Sequence, residues 1–423
     1  MSANGTAGNL GARGFLNASV LVFAASMVMN LGGFAFHAIA SRHLGVSEYG
    51  ALYALISVYQ IAVTPVLIFT PVVARYAAEF RALHDDGHVR GLLELVVRAF
   101  AVLGLAYAII AAVLAVPLGG FLHVASWQLL IVGAMCAVAV LSGTVRGISQ
   151  GIHSYAPFSY SMAAEGIVKV AVVGLFALGG LSLGGGTAAF LAGLTAGGIV
   201  VAIPLLRQFR VVQPTPVVLD WKRIGATTAG AASLMLTVTF IGTMDVVVVK
   251  HFFSTTDAGL YSAISLCARI LLYFVGFIPA ILIPQATHRH AQGARTRHTL
   301  WMALIFVATV SCAGVVFYQF FGYIVLHALV GHAFDAGLGL LPTYAGAMAC
   351  LAITNTLGSY ALATHRLAFV VPLLVSALGT LGLIAVSHVT LTLVVHELLL
   401  GNVVMLLATA VPLTLEGLRS ARA

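Results

Sequence analysis

The chain has 423 residues, of which 61% are hydrophobic and 8% are charged, and its mean hydropathy is +1.07. Soluble domains carry about 25% charged residues, so this composition excludes a soluble protein and indicates an integral membrane protein. The formal net charge of +8 does not point to nucleic acid, because the sequence contains no soluble basic domain. It is instead typical of basic loops that face anionic lipid headgroups on one side of a membrane.

Twelve apolar segments follow one another along the chain. A bilayer core about 30 Å thick requires roughly 20 apolar residues at a helical rise of 1.5 Å. Lipid offers no hydrogen-bond partner to the backbone, and alternating apolar and polar strands are absent, so the segments are predicted to be helices. We place the spans at 16–40, 49–74, 92–117, 125–147, 156–180, 187–208, 224–250, 257–286, 299–321, 337–362, 367–387 and 392–414.

The basic residues predict the orientation of these spans. If the N-terminus is cytoplasmic, the predicted outer loops carry only Arg42 and Lys250. The positive-inside rule therefore predicts that both termini are cytoplasmic. The cytoplasmic side then carries Arg13, Arg75, Arg81, Arg90, Arg146, Arg207, Arg210, Lys222, Arg223, Arg289, Arg295, Arg297, Arg366, Arg419 and Arg422.

A basic segment divides the chain near its middle. Residues 207–223 are basic at both ends, and Pro214 and Pro216 interrupt any helix there. We predict an N-terminal six-helix lobe at 1–210, a cytoplasmic linker at 211–223 and a C-terminal six-helix lobe at 224–423.

A weak internal repeat supports this division. When 41–75 is shifted by 209 positions, Glu48 falls on Asp257 and Gly50 falls on Gly259; Pro71 meets Pro279 at a shift of 208. The shared order of turn, acid, glycine and late proline indicates two related six-helix bundles, an arrangement common in transporters.

Ionisable residues inside a bilayer cost about 2.5–3.5 kcal/mol each on insertion scales, so they normally face the protein interior or a watery cavity. Glu165 and Lys169 lie one turn apart and form either a structural ion pair or part of a cavity. Arg269 lies near the middle of its span, where a guanidinium requires an anion, and is a cavity candidate. Asp245, close to Lys250, is either a surface group or a site for a coupling cation.

Other polar residues have plainer interpretations. Near predicted inner helix ends, Arg75, Glu94, Arg98 and Arg146 are interpreted as groups that snorkel to the headgroups, with a basic mouth for phosphate as the alternative. The cysteines form no CxxC pair, and neither metal-ligand spacing nor a nucleotide-binding motif is present. We therefore predict no metal, no cofactor and no enzymatic activity.

Prolines occur late in the second and eighth spans, at Pro65 and Pro71 and at Pro279 and Pro284. Each proline removes a backbone hydrogen bond and permits bending. Their matching positions in the two halves make them hinge candidates, with fixed kinks as the alternative.

The first and seventh spans are followed by motifs that resemble a known superfamily. After span one these are Arg42, Leu44-Gly45 and Glu48-Tyr49-Gly50; around span seven they are Asp245 and Asp257-Ala-Gly259-Leu-Tyr261. With Pro284, twelve spans and a central linker, the chain resembles the polysaccharide-transport branch, which includes Wzx-type flippases, of the multidrug/oligosaccharidyl-lipid/polysaccharide (MOP) exporter superfamily.

The resemblance implies two lobes around a central cavity that opens alternately to either side of a bacterial cytoplasmic (inner) membrane. The implied cargo is an undecaprenyl-pyrophosphate-linked oligosaccharide for surface polysaccharide synthesis, such as lipopolysaccharide or exopolysaccharide. Glycosyltransferases and a polysaccharide polymerase are the implied partners. Lys169 and Arg269 are candidates to receive the pyrophosphate, because both are cationic.

Two other functions compete with this interpretation. A cation-coupled multidrug antiporter of the sister branch is expected to carry an acid in span one, and 16–40 contains none. A membrane glycan polymerase is expected to carry a large outer loop with catalytic basic residues, and the predicted outer loops are short. The flippase function is therefore preferred.

Overall fold

Regular structure is entirely helical in the part of the chain that the computed structural model describes, which is residues 12–219, 221–279, 282–283, 285–286 and 297–420. A 3₁₀ helix, His332–Leu340, precedes α10. The helices are α1 (Ala12–Leu67), α2 (Phe69–Ala82), α3 (Asp86–Leu122), α4 (Ser126–Gly151), α5 (Tyr155–Leu178), α6 (Leu183–Gln208), α7 (Trp221–Phe252), α8 (Thr255–Val275), α9 (Arg297–Leu329), α10 (Leu341–Ala363), α11 (Val370–Val386) and α12 (Leu391–Ser420).

Ten helices in these ranges are long and apolar enough to cross a membrane. The first covers 64 residues, Ser19–Ala82, which would extend about 96 Å if straight and therefore provides two spans. Val370–Val386 is a shorter apolar helix. Each of the twelve predicted spans thus falls on a helix, and the prediction of an all-α polytopic membrane protein is confirmed.

Helix α1 joins the first two predicted spans through a bend at Gly45. This residue has φ 71° and ψ 176°, which is not helical. A positive φ of this kind is readily adopted by glycine and strains residues that carry a Cβ. The chain therefore reverses direction here without a long loop.

Both proline-containing spans are interrupted three residues before the equivalent prolines. Helix α1 ends at Leu67 and α2 starts at Phe69, which places a turn at Ile68 before Pro71. Helix α8 ends at Val275, and a turn at 276–277 comes before Pro279. A proline at position i removes the hydrogen bond to the carbonyl of residue i−4. Pro65 lies inside α1, and Pro284 lies outside the described residues.

The two halves of the chain meet through the glycines that the repeat aligns. A Cβ built on Gly50 would lie 2.7 Å from Gly259 Cα, and one built on Gly259 would lie 2.0 Å from the carbonyl oxygen of Val46. Both distances are too short for a side chain. Helices α1 and α8 therefore approach each other as closely as backbones permit, as small residues allow in membrane bundles.

Loops predicted to lie outside the membrane meet at one end of the molecule, which we call the predicted outer end. Arg42 donates to the carbonyls of His327 at 3.0 Å and Ala328 at 2.7 Å. Ser41 donates to the Leu329 carbonyl at 3.4 Å. These bonds join the bend of α1 to the end of α9 and fasten the two halves together.

A second set of contacts at the predicted outer end joins the loops after α3, α7 and α11. The His251 ring lies 2.8 Å from the Phe121 carbonyl, and Phe252 stacks on His388 with ring centroids 3.7 Å apart. The contact of His251 with Phe121 is thus a second link between the halves at this end of the molecule.

The segment between α6 and α7 packs on the first half of the chain. Residues 213–219 have no regular secondary structure. The amide of Thr215 donates to the Gly87 carbonyl at 3.0 Å, and a Cβ on Gly91 would meet the Thr215 carbonyl oxygen at 1.8 Å. Two glycines at the start of α3 thus provide the space for this segment.

We expect Gly259→Ala to destabilise the protein, because its methyl group would meet the backbone of α1. Overpacking of this kind typically costs about 1–3 kcal/mol. Unfolding of the purified protein in detergent measures the effect. Gly33→Ala is the matched control, since a Cβ there meets nothing within 4 Å and alanine favours the helix. Equal stability of the Gly259→Ala protein and the natural protein would contradict the close approach.

Candidate functional site

A buried ion pair lies where the two halves meet. Asp245 of α7 accepts a hydrogen bond from the guanidinium of Arg269, in α8, at 3.2 Å. The two residues are 0% and 2% exposed. Helical side chains point toward the N-terminus of their helix, so Arg269 reaches back along α8 toward Asp245. Each charge supplies the partner that the other requires inside a membrane.

Two tyrosines complete the shell of Asp245. Tyr261 donates to one carboxylate oxygen at 2.9 Å, and Tyr344 donates to the same oxygen. The Tyr344 hydroxyl also hydrogen-bonds Ser265 at 2.9 Å. Both carboxylate oxygens are therefore engaged. Asp245 is not a surface group, and its partner is Arg269 rather than the neighbouring Lys250.

Arg269 also contacts the first half of the chain. It donates to the Tyr53 hydroxyl at 3.0 Å, and its guanidinium carbon lies 5.5 Å from the centre of the Tyr53 ring. Its Nε is buried and has no hydrogen-bond partner among the described residues. A buried N–H without a partner is costly, and this donor is therefore available to an anion that enters between the halves.

The first half contains a second charged cluster. Glu165 lies 2.9 Å from the guanidinium of Arg146 and 3.5 Å from the ammonium of Lys169. Glu165 and Lys169 are 7% and 5% exposed. Two basic groups share one carboxylate, so the cluster has two formal positive charges and one negative charge.

Neighbouring groups fix these basic side chains. Arg146 donates to the Ser161 hydroxyl at 2.7 Å and to the Ser161 carbonyl at 3.1 Å, and Ser161 in turn donates to the Gly197 carbonyl at 2.6 Å. The Lys169 ammonium lies 4.1 Å from the centre of the Phe190 ring. Helices α4, α5 and α6 thus hold the cluster in one geometry.

An aromatic path connects the two clusters. The ring of His37, in α1, lies 5.4 Å from that of Tyr53. Phe36 packs on Phe190 with centroids 5.7 Å apart. Side chains of α1 therefore lie between the two charged clusters.

The structure brings together some of the predicted residues and adds others. Glu165 and Lys169 form the predicted i, i+4 pair. Arg146 was expected to snorkel to headgroups, and this was wrong: its side chain, 16% exposed, turns inward to Glu165. The sequence signal that could have found it is its position in the span directly before the one that carries Glu165. Tyr53, Tyr261, Tyr344 and His37 were not predicted, because nothing in the sequence indicates which tyrosines of the spans lie beside the charged residues or what His37 contacts.

Away from the predicted outer end, clefts separate the halves. One cleft of about 310 Å³ lies between α1, at Ile61–Pro65, and residues of α7 and α11. Another of about 190 Å³ lies between α2 and α7 and is lined by Pro71, Arg75, Glu79 and Thr228. The break between α1 and α2 at Ile68 lies between the residues that line these two clefts.

The fold is shared with solved transporter structures. A multidrug resistance MATE family transporter of the MOP superfamily, in an inward-facing conformation, matches with a TM-score of 0.77 and 12% identity over 94% of this chain and 99% of that one. The lipid II flippase MurJ, in an inward closed conformation, matches with a TM-score of 0.71 and 11% identity over 94% and 87%.

A MOP superfamily transporter from Pyrococcus furiosus, described as having a binding pocket of reverse polarity, matches with a TM-score of 0.60 and 13% identity over 95% of each chain. No protein-family model matches the sequence, and no curated protein matches it. The chain thus has the fold of MOP-superfamily transporters.

We expect Asp245→Asn to destabilise the protein strongly, because it leaves the Arg269 guanidinium buried without a carboxylate. Removal of one partner of a buried pair costs about 3–5 kcal/mol. The double variant Asp245→Asn/Arg269→Gln should recover part of this loss. Thermal unfolding in detergent of four proteins completes a double-mutant cycle: the natural chain, Asp245→Asn, Arg269→Gln and the double variant.

The control is Glu94→Gln. Its carboxylate is 26% exposed and pairs with Arg90 at 2.9 Å, so about 1 kcal/mol or less is expected. Additive effects of the two single substitutions would show that Asp245 and Arg269 do not act as a pair.

Proposed function

We propose that the chain moves an undecaprenyl-pyrophosphate-linked oligosaccharide across the bacterial cytoplasmic membrane for surface polysaccharide synthesis. The observation that carries the proposal is a set of basic groups in a fold shared with a lipid II flippase: Lys169 and Arg269 are buried, and the Arg146 side chain is 16% exposed. Glycosyltransferases would supply the cargo and a polymerase would consume it. Both termini would be cytoplasmic.

Charge balance supports an anionic cargo. The central groups comprise three basic residues and two acidic ones, Glu165 and Asp245. The carboxylates keep the basic groups paired inside the membrane until a pyrophosphate replaces part of that pairing. The free Nε–H of Arg269 provides a first donor. Guanidinium groups suit phosphate because they donate two parallel hydrogen bonds.

The arrangement of contacts supports alternating access by two lobes, 1–210 and 224–423, with 211–223 as linker. The predicted outer end is fastened by Arg42 and Ser41, whereas clefts separate the halves elsewhere. This conformation would load cargo from the cytoplasmic side. Bending at Pro65, Pro71, Pro279 and Pro284 would accompany the change, because helices are already interrupted before Pro71 and Pro279.

Asp245 provides a route to coupling with an ion gradient. Its carboxylate holds Arg269 through one oxygen and two tyrosines through the other. A proton or sodium ion on Asp245 would compete with Arg269 and release the guanidinium toward the cargo. The same residue would then serve both coupling and cargo binding.

A cation-coupled multidrug antiporter is the second candidate, and the TM-score of 0.77 to a multidrug transporter favours it. The absence of any acid in residues 16–40 weighs against this function. Drug susceptibility and glycan exposure in a deletion strain separate the two candidates. Increased drug susceptibility with normal glycan would select the antiporter.

We expect Arg269→Ala to abolish transport while the protein remains inserted, because the cargo phosphate loses its donor. The measurement is outer-leaflet accessibility of undecaprenyl-linked oligosaccharide in spheroplasts. Complete units should accumulate on the inner leaflet, as in a deletion strain.

Arg98→Ala is the control for this experiment. It also removes one arginine, but the Arg98 side chain is 81% exposed. Normal export by an Arg269→Ala protein would refute the proposal that Arg269 binds the cargo phosphate. Normal exposure of single units in the deletion strain, with failed chain growth, would point instead to a polymerase.

We expect a cross-link at the predicted outer end to stop transport. Ser41→Cys and Leu329→Cys place thiols on two residues that join the halves, since the Ser41 hydroxyl lies 3.4 Å from the backbone carbonyl of Leu329. The protein used has Cys136, Cys267, Cys312 and Cys350 replaced by alanine. Oxidation, or a short bifunctional thiol reagent where the disulfide fails to form, should block glycan exposure. Reductant should restore exposure after oxidation, and each single-cysteine variant is a control. Full transport by a cross-linked protein would contradict alternating access.

A further inference from the structure

Three potential metal ligands converge at the predicted outer end, away from the buried charges. His327 Nε2 lies 2.5 Å from one oxygen of Asp335, and His332 Nδ1 lies 3.7 Å from the other. The two imidazole rings have centroids 3.9 Å apart. Each residue offers one ligand atom, and these atoms all lie within 4.8 Å of one another.

The backbone explains why sequence spacing does not reveal this cluster. His327 lies in the last turn of α9, and His332 and Asp335 lie in the following 3₁₀ helix. Gly331, with φ 93°, turns the chain between them. The spacing of five and then three residues fits neither a single helical face nor a hairpin, so only the folded turn brings the three side chains together.

We propose that His327, His332 and Asp335 form a binding site for Zn²⁺, and that the bound ion stabilises the closed predicted outer end. Two imidazoles and a carboxylate with a fourth position for water are a ligand set typical of zinc. Ligand atoms around a tetrahedral zinc ion lie about 3.3 Å apart, given bonds of about 2.0–2.2 Å. The contacts of 2.5 and 3.7 Å are made by different oxygens of Asp335. With one atom from each residue, the three ligand atoms lie within 4.8 Å of one another, so side-chain rotations would bring them to the spacing around zinc.

The position of the site connects it to the other half of the chain. Arg42 donates to the carbonyl of His327 itself and to that of Ala328. Phe334, between the other two ligands, packs against Tyr49 with centroids 5.6 Å apart. A metal ion that clamps α9 to the 3₁₀ helix would therefore fix the surface on which α1 closes. An ion that binds the closed state preferentially shifts the population toward it.

Zinc binding is tested on the purified full chain by equilibrium dialysis against ZnCl₂. His332→Ala is the main variant, because this side chain is 81% exposed and its loss should not affect folding. We expect His332→Ala and Asp335→Asn each to weaken zinc binding by more than about 10–100-fold. Loss of a residue that only orients a metal ligand already costs that much, and these two residues are proposed to bind the ion directly. His396→Ala is the matched control, as an exposed histidine near the start of α12 whose ring lies 2.7 Å from the Thr392 carbonyl of the same helix.

Binding by His332→Ala and Asp335→Asn equal to that of the natural chain would overturn the site. Calcium should not compete with zinc, since it prefers six or more oxygen ligands. Effective competition by calcium would likewise overturn the assignment, because it would indicate a nonselective carboxylate site.

The effect of zinc on closure rests on the proposed function, whereas binding does not. We expect Zn²⁺ to reduce outer-leaflet glycan exposure in spheroplasts by about 5–150-fold, the usual range of coupling between sites, and to leave a His332→Ala strain unaffected. Normal zinc binding with unchanged transport would overturn the closure effect alone. Normal binding in a protein that never transports glycan would instead count against the proposed function.

Discussion

The free energy of burying charge in a membrane constrains this molecule more than any other factor. Arg269 and Asp245 are almost completely buried, and each is the counter-ion of the other. Tyrosines occupy the remaining carboxylate positions, and Tyr53 links the pair to the opposite half. Because a charge in lipid is stable only when paired, the pairing fixes α7 against α8 and holds both near α1. Arg269 can remain buried and charged only because Asp245 neutralises it.

The second constraint is the close approach of the two halves. Gly50 and Gly259 are equivalent in the internal repeat, and they contact each other. In a repeat related by a two-fold axis, residues near the axis lie next to their own equivalents. Any side chain at either position would separate the helices. The same region carries the Arg42 hydrogen bonds and the His327–Asp335 cluster, so packing, hydrogen bonding and the proposed zinc site all act on one interface.

The two charged clusters differ in which of their polar or charged groups lack a partner. Asp245 and Arg269 balance each other, but the guanidinium retains an unpartnered Nε. Glu165 is shared by Arg146 and Lys169, so a positive charge is left over. Both features favour an anion at the centre. A multidrug transporter and a lipid II flippase both share this fold, and a fold does not by itself specify a function.

The sequence by itself determined the twelve helical spans, because their apolar length and the backbone's need for hydrogen bonds leave lipid-embedded segments few alternatives. It also aligned Pro71 with Pro279, and the helices break before both. Only the tertiary structure decided the charge partners. Glu165 and Lys169 are one turn apart and could be paired from spacing, but Arg146 and Arg269 find their acids on other helices. The zinc cluster likewise depends on the turn at Gly331. Periodicity specifies which residues share a helical face; it carries no information on which face of another helix will meet them.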